Sequence, residues 1–358
     1  YYNPYLDLID TKTKSLKTYM NKDIQYTLYE IATNKLGFLP DDKINIGLIA
    51  IDNHTAGILG IFGNRTANKK TINNVLVKRH MASTMKPLID YLPYFEKTTA
   101  SPGEVVIDEE YNYSDGTSLK NWDSIYKGAI SLRQALKESR NIPALKIFKK
   151  TSKEVKIETL SRLGLTVPND LYEADAIGCG NGLYSLFEVS NAYLAFANNG
   201  KFKKASCILN DDPFLQVIKP SSAFFINSIL HDVFSKSKFV PKNTYMMAKT
   251  GQTNYDKKTA LKYNIPSNAT KESFVISYTK DITFGCYVGY DKIDSTSYLD
   301  RIKTQIPRTI MAYFMNKFQT NVGSPDTPSN IEKQKCIIKD NVLYLDESGI
   351  YEYFIKDA

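Results

Sequence analysis

Ser83, Thr84, Met85 and Lys86 set a hydroxyl and an amine three residues apart. On a helix that spacing puts both side chains on one face. A serine hydroxyl is a weak nucleophile until a base takes its proton. A lysine amine can be that base once burial or a second cation lowers its pKa and leaves it neutral. Ser-x-x-Lys also begins at Ser124, Ser235 and Ser277, so the pattern alone selects nothing. Two other triplets each occur once. Ser139-Arg140-Asn141 offers a second hydroxyl and a side-chain amide. Lys249-Thr250-Gly251, continued by Gln252 and Thr253, offers a fixed positive charge and hydroxyls for a carboxylate. Its glycine suits a place where a ligand or another backbone comes close. Each triplet also has an ordinary reading. Asn141-Ile142-Pro143 would punctuate two helices, and Lys249 could be a solubilising charge on an edge strand.

The surrounding periodicities suit a cleft. "NKDIQYTLYEIATNKL" (21–36) reads as a helix capped by Asn21, with Gly37 and Pro40 as stop signals. Two β-branched runs flank Asn53–Gly57 and predict a hairpin. Residues 99–120 carry Pro102-Gly103 and Asp115-Gly116 and predict a long loop. From about 130 to 200 the period is helical. Two short helices break near Ser139–Pro143, and "SLFEVSNAYLAFANNG" is a helix ended by Gly200. "PSSAFFINSILHDVF" is another, with Ser221 or Ser222 as cap. "YMMAKTGQT", "SFVISYT" and "FGCYVGY" then read as three strands, the last two in a tight hairpin at Lys280-Asp281, and "PRTIMAYFMNKF" as a helix. The expected fold is α+β: a five-stranded antiparallel sheet covered by helices, beside an all-helical lobe. Expected domains are a linker at 1–20, a main domain at 21–320, and a linker with a small β appendage at 321–358.

Bulk properties narrow the function. The chain has 358 residues and a net charge of +8, with no dense basic tract interleaved with aromatics, which argues against nucleic acid. The charge suits solubility or attraction to an anionic envelope surface. No apolar run approaches the roughly 20 residues needed to span a bilayer. Because the chain opens at Tyr1 rather than Met, it reads as part of a longer or processed product. Cys179, Cys207, Cys286 and Cys336 are widely spaced, as are His54, His80 and His231. A structural zinc site is therefore not expected. A Ser-His-Asp triad would need a histidine brought in by the fold.

Ser-x-x-Lys, Ser-x-Asn and Lys-Thr-Gly, in that order, form the signature of active-serine acyl-transfer enzymes that bind penicillin. The chain resembles the transpeptidase domain of class A penicillin-binding proteins from about residue 17 to 318. The likeness lies in "KTYMNKDIQYTLYEIA", "IAIDNHTAGILGIFGNR", "KNWDSIYKGAISLRQALKESRNIPALKIF" and "EVSNAYLAFANNGKF", and more weakly in the tail "CIIKDNVLYLDESGIYEYFIKDA". The chain departs from the family at Met81-Ala82 (usually Pro-Gly), Ala248 (usually Gly) and Gln252 (usually Thr).

The resemblance implies a peptidoglycan D,D-transpeptidase that needs no cofactor or metal. Its partners would be wall stem peptides and β-lactams. It would work on the outer face of a bacterial cytoplasmic membrane, with a glycosyltransferase domain and an anchor upstream. Ser83 is the implied nucleophile and Lys86 its base. The N–H groups of Ser83 and Gln252 would form an oxyanion hole, worth about 3 kcal/mol per donor. Ser139, coupled to Lys249, would protonate the leaving amine. Asn141 would hold the peptide amide and Lys86, and Thr250, Gly251 and Thr253 would take the substrate carboxylate with Lys249. Two other readings compete. A β-lactam hydrolase would need a base for the deacylating water, with Glu138 and Glu173 as positional candidates. A non-catalytic sensor would keep the fold alone.

Overall fold

The structure, a computed structural model, describes residues 16–65, 72–235, 237–241, 244–267, 269–319 and 323–356. Most of the expected linker at 1–20, and residues 321–322, lie outside these.

Helix α1 (Lys22–Ala32) begins at Asn21, whose carboxamide oxygen accepts from the Asp23 and Ile24 N–H groups, each at 3.0 Å. Strands β1 (Ile44–Asp52) and β2 (Ile58–Phe62) form the expected hairpin. Between Lys97 and Leu132 the expected long loop is instead built from short ladders. Strand β3 (Val105–Asp108) pairs with β6 (Gly128–Ser131), and β4 (Tyr111–Asn112) with β5 (Ser118–Leu119). No strand of these ladders exceeds four residues, so strand-length periodicity never develops. The lobe contains α2 (Leu92–Lys97), α3 (Leu132–Lys137), α4 (Asn141–Lys149), α5 (Lys153–Arg162), α6 (Leu186–Ala197) and α7 (Pro220–Asp232). A minor ladder joins β7 (Lys201–Phe202) to β8 (Leu215–Gln216).

Helix α6 has a capping box: Ser185 Oγ accepts from Glu188 N, while the Glu188 carboxylate accepts from Ser185 N. Gly200 follows it at φ 88°. The α7 cap is Lys219 rather than Ser221 or Ser222, because Pro220 takes the first helical position, where its missing N–H costs nothing.

Strands β9 (Met247–Asn254), β10 (Thr270–Tyr278) and β11 (Ile282–Tyr290) complete one antiparallel sheet in the order β2-β1-β11-β10-β9. Helix α8 (Lys257–Lys262) lies between β9 and β10, and α9 (Ile306–Phe318) follows the sheet. Period-two alternation sends Ile49, Ile51, Phe274, Ile276 and Tyr287 into the core shared with the lobe. It sends Ile46, Leu48, Val275, Phe284 and Val288 into a second core under α1 and α9. Met247 belongs to the first core and Ala248 to the second, so Lys249 shares the lobe-facing side with Met247.

At the C-terminal end, β12 (Ile331–Lys339), β13 (Val342–Leu345) and β14 (Ile350–Ile355) form a separate three-stranded sheet. It is tied to the lobe by Arg133 of α3. That guanidinium donates to both oxygens of buried Glu352, at 2.7 and 2.6 Å, and to Asp232 of α7 at 2.8 Å. Among the described residues no helix is long and apolar enough to cross a membrane.

Candidate active site

Three chain segments converge at the seam between lobe and sheet. The first is a 3₁₀ turn, Ala82–Thr84, followed by one turn of π-helix, Pro87–Tyr91, rather than a regular helix start. Ser83 is half-buried and Lys86 fully buried. The turn is braced from behind. Ala82 N–H donates to Gly178 O at 3.1 Å, and Tyr193 O–H to Thr84 O at 2.6 Å. Gly178 is obligatory here: its φ is 71°, and a Cβ would sit 2.0 Å from Ala82 O. Ala82 stands at φ 49°, where the sequence motif of the resembled family has glycine.

The second segment is the break between α3 and α4. Ser139 adopts φ 58°, a left-handed residue that turns the chain between the helices. Arg140, a mere spacer in the sequence reading, is the anchor of this break. It is 1% exposed and donates to Asp108 at 2.9 Å, to Asp123 at 2.7 Å and to Ile125 O. Asn121 completes the support, accepting from Asn141 N at 2.8 Å and donating to Asp108 at 2.7 Å. Nothing short-range in the sequence signals these partners, which lie 15 to 32 residues away.

The third segment is β9, an edge strand that passes directly over the first. A Cβ built at Gly251 would lie 2.8 Å from Met81 O and 3.2 Å from Thr84 N. Glycine therefore permits the contact between the strand and the serine turn.

Lys86 Nζ donates to Ser139 O and Asn141 Oδ1, each at 2.7 Å, and lies 3.5 Å from Ser139 Oγ. Lys249 Nζ donates to Ser139 Oγ at 2.7 Å. Two lysine amines thus converge on one hydroxyl. Burial pushes Lys86 down to about 7, helped by the Arg140 cation and opposed by Asp90. Burial, then Lys86 and Arg308, lowers Lys249 well below the ordinary lysine range. The other Ser-x-x-Lys pairs lack this setting: Lys127 pairs with Glu138 and Lys280 with Asp326, both at the surface.

Thr250 is half-buried and Gln252 exposed. The Thr253 hydroxyl donates at 2.8 Å to buried Glu272 on β10, a partner the sequence reading did not include. Glu272 in turn lies 3.7 Å from Arg79, which stacks on Tyr287. Neither glutamate suggested as a hydrolytic base is free. Glu138 accepts from Lys127 and Gln134. Burial works upward on Glu173, but hydrogen bonds from Lys149 and Ser114 outweigh it and hold it at about 2, too acidic for a base. The histidines are occupied structurally: His54 meets Asp281, His80 meets Gly180 O, and His231 stacks on Tyr245. None of the four cysteines forms a disulfide.

Two depressed lysines that meet at the Ser139 hydroxyl, with half-buried Ser83 on the turn three residues before Lys86, all between an antiparallel sheet and a helical lobe, suit serine-based acyl transfer. The family model described as "Penicillin binding protein transpeptidase domain" matches residues 46–312, and the chain belongs to this family. Penicillin-binding protein 1A/1B of Bacillus subtilis is 28% identical over 381 residues, covering 97% of this chain and 41% of the relative. Penicillin-binding protein 1A of Streptococcus pneumoniae is 27% identical over 310 residues, covering 78% and 43%. The chain thus spans about two fifths of the length of these curated relatives. Among solved structures, the penicillin-binding protein PonA1 from Mycobacterium tuberculosis superposes with a TM-score of 0.75 at 17% identity, covering 90% of both chains. The fold is therefore that of the transpeptidase domains.

Proposed function

We propose that this chain is a serine D,D-transpeptidase that cross-links peptidoglycan stem peptides and is acylated by β-lactams. The observation that carries the reading is the pair of 2.7 Å contacts, from Lys249 Nζ to Ser139 Oγ and from Lys86 Nζ to Asn141 Oδ1. They set a base and a proton relay beside the Ser83 turn. A donor peptide ending in D-Ala-D-Ala lies along β9, its carboxylate held by Thr250 and the charge of Lys249. Lys86, as free amine, takes the Ser83 proton, and Ser83 Oγ bonds to the penultimate carbonyl carbon. The Ser83 and Gln252 N–H groups receive the oxyanion. Ser139, fed by Lys249, protonates the departing D-Ala nitrogen as its C–N bond breaks. An acceptor amine then displaces Ser83 and forms the cross-link; water in its place gives D,D-carboxypeptidase action. Support comes from family membership and from a solved relative, PonA1 from Mycobacterium tuberculosis, in complex with penicillin V.

The commitment of Glu138 and Glu173 to cations disfavours fast hydrolysis of an acyl-enzyme. The working place on the outer face of the membrane, with a glycosyltransferase domain and an anchor upstream, belongs to the same proposal. Intact mass after penicillin exposure tests it. The wild type gains one penicillin mass that persists, and Ser83→Ala gains none. An unchanged adduct in Ser83→Ala refutes the nucleophile, and rapid loss of the wild-type adduct favours the hydrolase.

A further inference from the structure

The two N–H groups proposed to receive the oxyanion, those of Ser83 and Gln252, belong to distant parts of the chain, the serine turn and β9. An oxyanion hole works only when its donors all stand about 2.7–3.1 Å from one developing charge. The span between turn and strand therefore has to be fixed. Gly251 lets the two approach, since a Cβ there would lie 2.8 Å from Met81 O. A glycine permits closeness without holding anything in place.

Glu272 supplies the hold. It stands on β10 opposite Thr253, two residues before core-facing Phe274 and on the same side of the sheet. Its Oε2 accepts from Thr253 Oγ1 at 2.8 Å, and its Oε1 lies 3.7 Å from Arg79 Nη1. One carboxylate thus grips β9 with one oxygen and the approach to the serine turn with the other. The Arg79 and Glu272 side chains are buried, at 11% and 9% exposure. Arg79, four residues before Ser83, is itself fixed on several sides. Its backbone N–H and C=O pair with Tyr184, each at 3.0 Å, and its Nη2 donates to Asn74 Oδ1 at 3.0 Å. Its guanidinium carbon lies 3.9 Å from the ring centre of Tyr287 on β11. A buried ion pair is a poor way to stabilise a fold, because apolar residues of the same volume often do as well or better. What this pair adds is a set distance between two segments.

We infer that Glu272 is a positioning residue: gripping Arg79 and Thr253, it holds the Ser83 turn and β9 at the span their N–H groups need to share one oxyanion. The inference rests on the Ser83 and Gln252 assignments above. Glu272 touches no substrate and exchanges no proton. The three groups act in series, so breaking either link releases the tie, and breaking both releases no more. The Thr253 hydroxyl then serves geometry rather than the carboxylate contact implied by its motif, and kinetics separate the two roles.

The test is stopped-flow acylation by penicillin, resolved into the dissociation constant of the first complex (Ks) and the acylation rate constant (k2). It is run on wild type, Thr253→Val, Arg79→Gln and the double variant. Each single variant is expected to lower k2 roughly tenfold and leave Ks within about twofold, because the hole acts only as charge develops. The double variant is expected to match the slower single variant within about twofold, where independent effects would multiply. Thr253→Val keeps the side chain's shape, so if Arg79→Gln does not fold, it carries the test through k2 and Ks alone. A raised Ks at unchanged k2 in Thr253→Val returns its hydroxyl to the carboxylate and overturns the inference. So does a k2 within about twofold of wild type, or losses that multiply in the double variant. A penicillin adduct that persists in Ser83→Ala overturns the serine assignment beneath, and this inference with it.

Discussion

Gly251→Ala probes the close passage of β9 over the serine turn. The added Cβ would lie 2.8 Å from Met81 O, 3.1 Å from Thr84 Cγ2 and 3.2 Å from Thr84 N. A carbon and a carbonyl oxygen settle at about 3.3 Å or more, so roughly half an ångström must be found. Two of the three obstacles are backbone, and the turn is braced by Gly178 and Tyr193, so the edge strand is the part that yields. Overpacking of this kind costs about 1–3 kcal/mol, which in a chain this long lowers Tm by about 1–4 °C. The displacement also reaches Lys249, two residues upstream, whose 2.7 Å bond to Ser139 has little slack. Misplacement of reacting groups by about 1 Å costs about a hundredfold in rate, so a shift half as large is expected to slow penicillin acylation by roughly tenfold or more. Stopped-flow acylation and a thermal melt of the same preparation measure both effects. Acylation within threefold of wild type at an unchanged Tm would refute the reasoning that glycine is needed to seat the strand on the turn.

Arg140→Met removes one partner of the buried pair with Asp108, whose side chains are 1% and 0% exposed. Breaking such a pair costs about 3–5 kcal/mol, and because Arg140 is flanked by Ser139 and Asn141, acylation is expected to fall with it; urea titration and adduct kinetics check the two together. Lys86→Met addresses the linkage between charge and stability. In the fold Lys86 titrates near 7, below its unfolded value of about 10.5, so between these values the unfolded chain binds more protons and stability rises with pH. Below about 7 the full penalty of a buried ammonium is present. Urea midpoints at pH 7 and pH 10 are expected to lie closer together in Lys86→Met than in wild type, and an equal spread in both would count against a depressed Lys86.

Local chemistry carried much of the reading. The strands over "SFVISYT" and "FGCYVGY", the helix over "SLFEVSNAYLAFANNG" and its Gly200 stop are decided by neighbours a few residues apart, and the structure has them there. The loop expected over 99–120 carries strands instead, because two-residue and four-residue ladders give no period to detect. The cross-strand partner of Thr253 was invisible for a related reason. A threonine at a strand end looks available until its cross-strand neighbour, Glu272, is known.

From the sequence alone came the identities and order of the proposed reacting groups, Ser83, Lys86, Ser139, Asn141 and Lys249, together with the α+β architecture that must hold them, since residue types and short-range periods are written directly in the chain. Tertiary structure alone decided which of four Ser-x-x-Lys pairs is buried, that Arg140 rather than a cap residue anchors the middle motif, and that the Asp90 carboxyl is buried without a hydrogen-bond partner. Burial and charge environment depend on what packs from distant parts of the chain. A lysine in solvent and a lysine stripped of water are different chemical groups that share one letter.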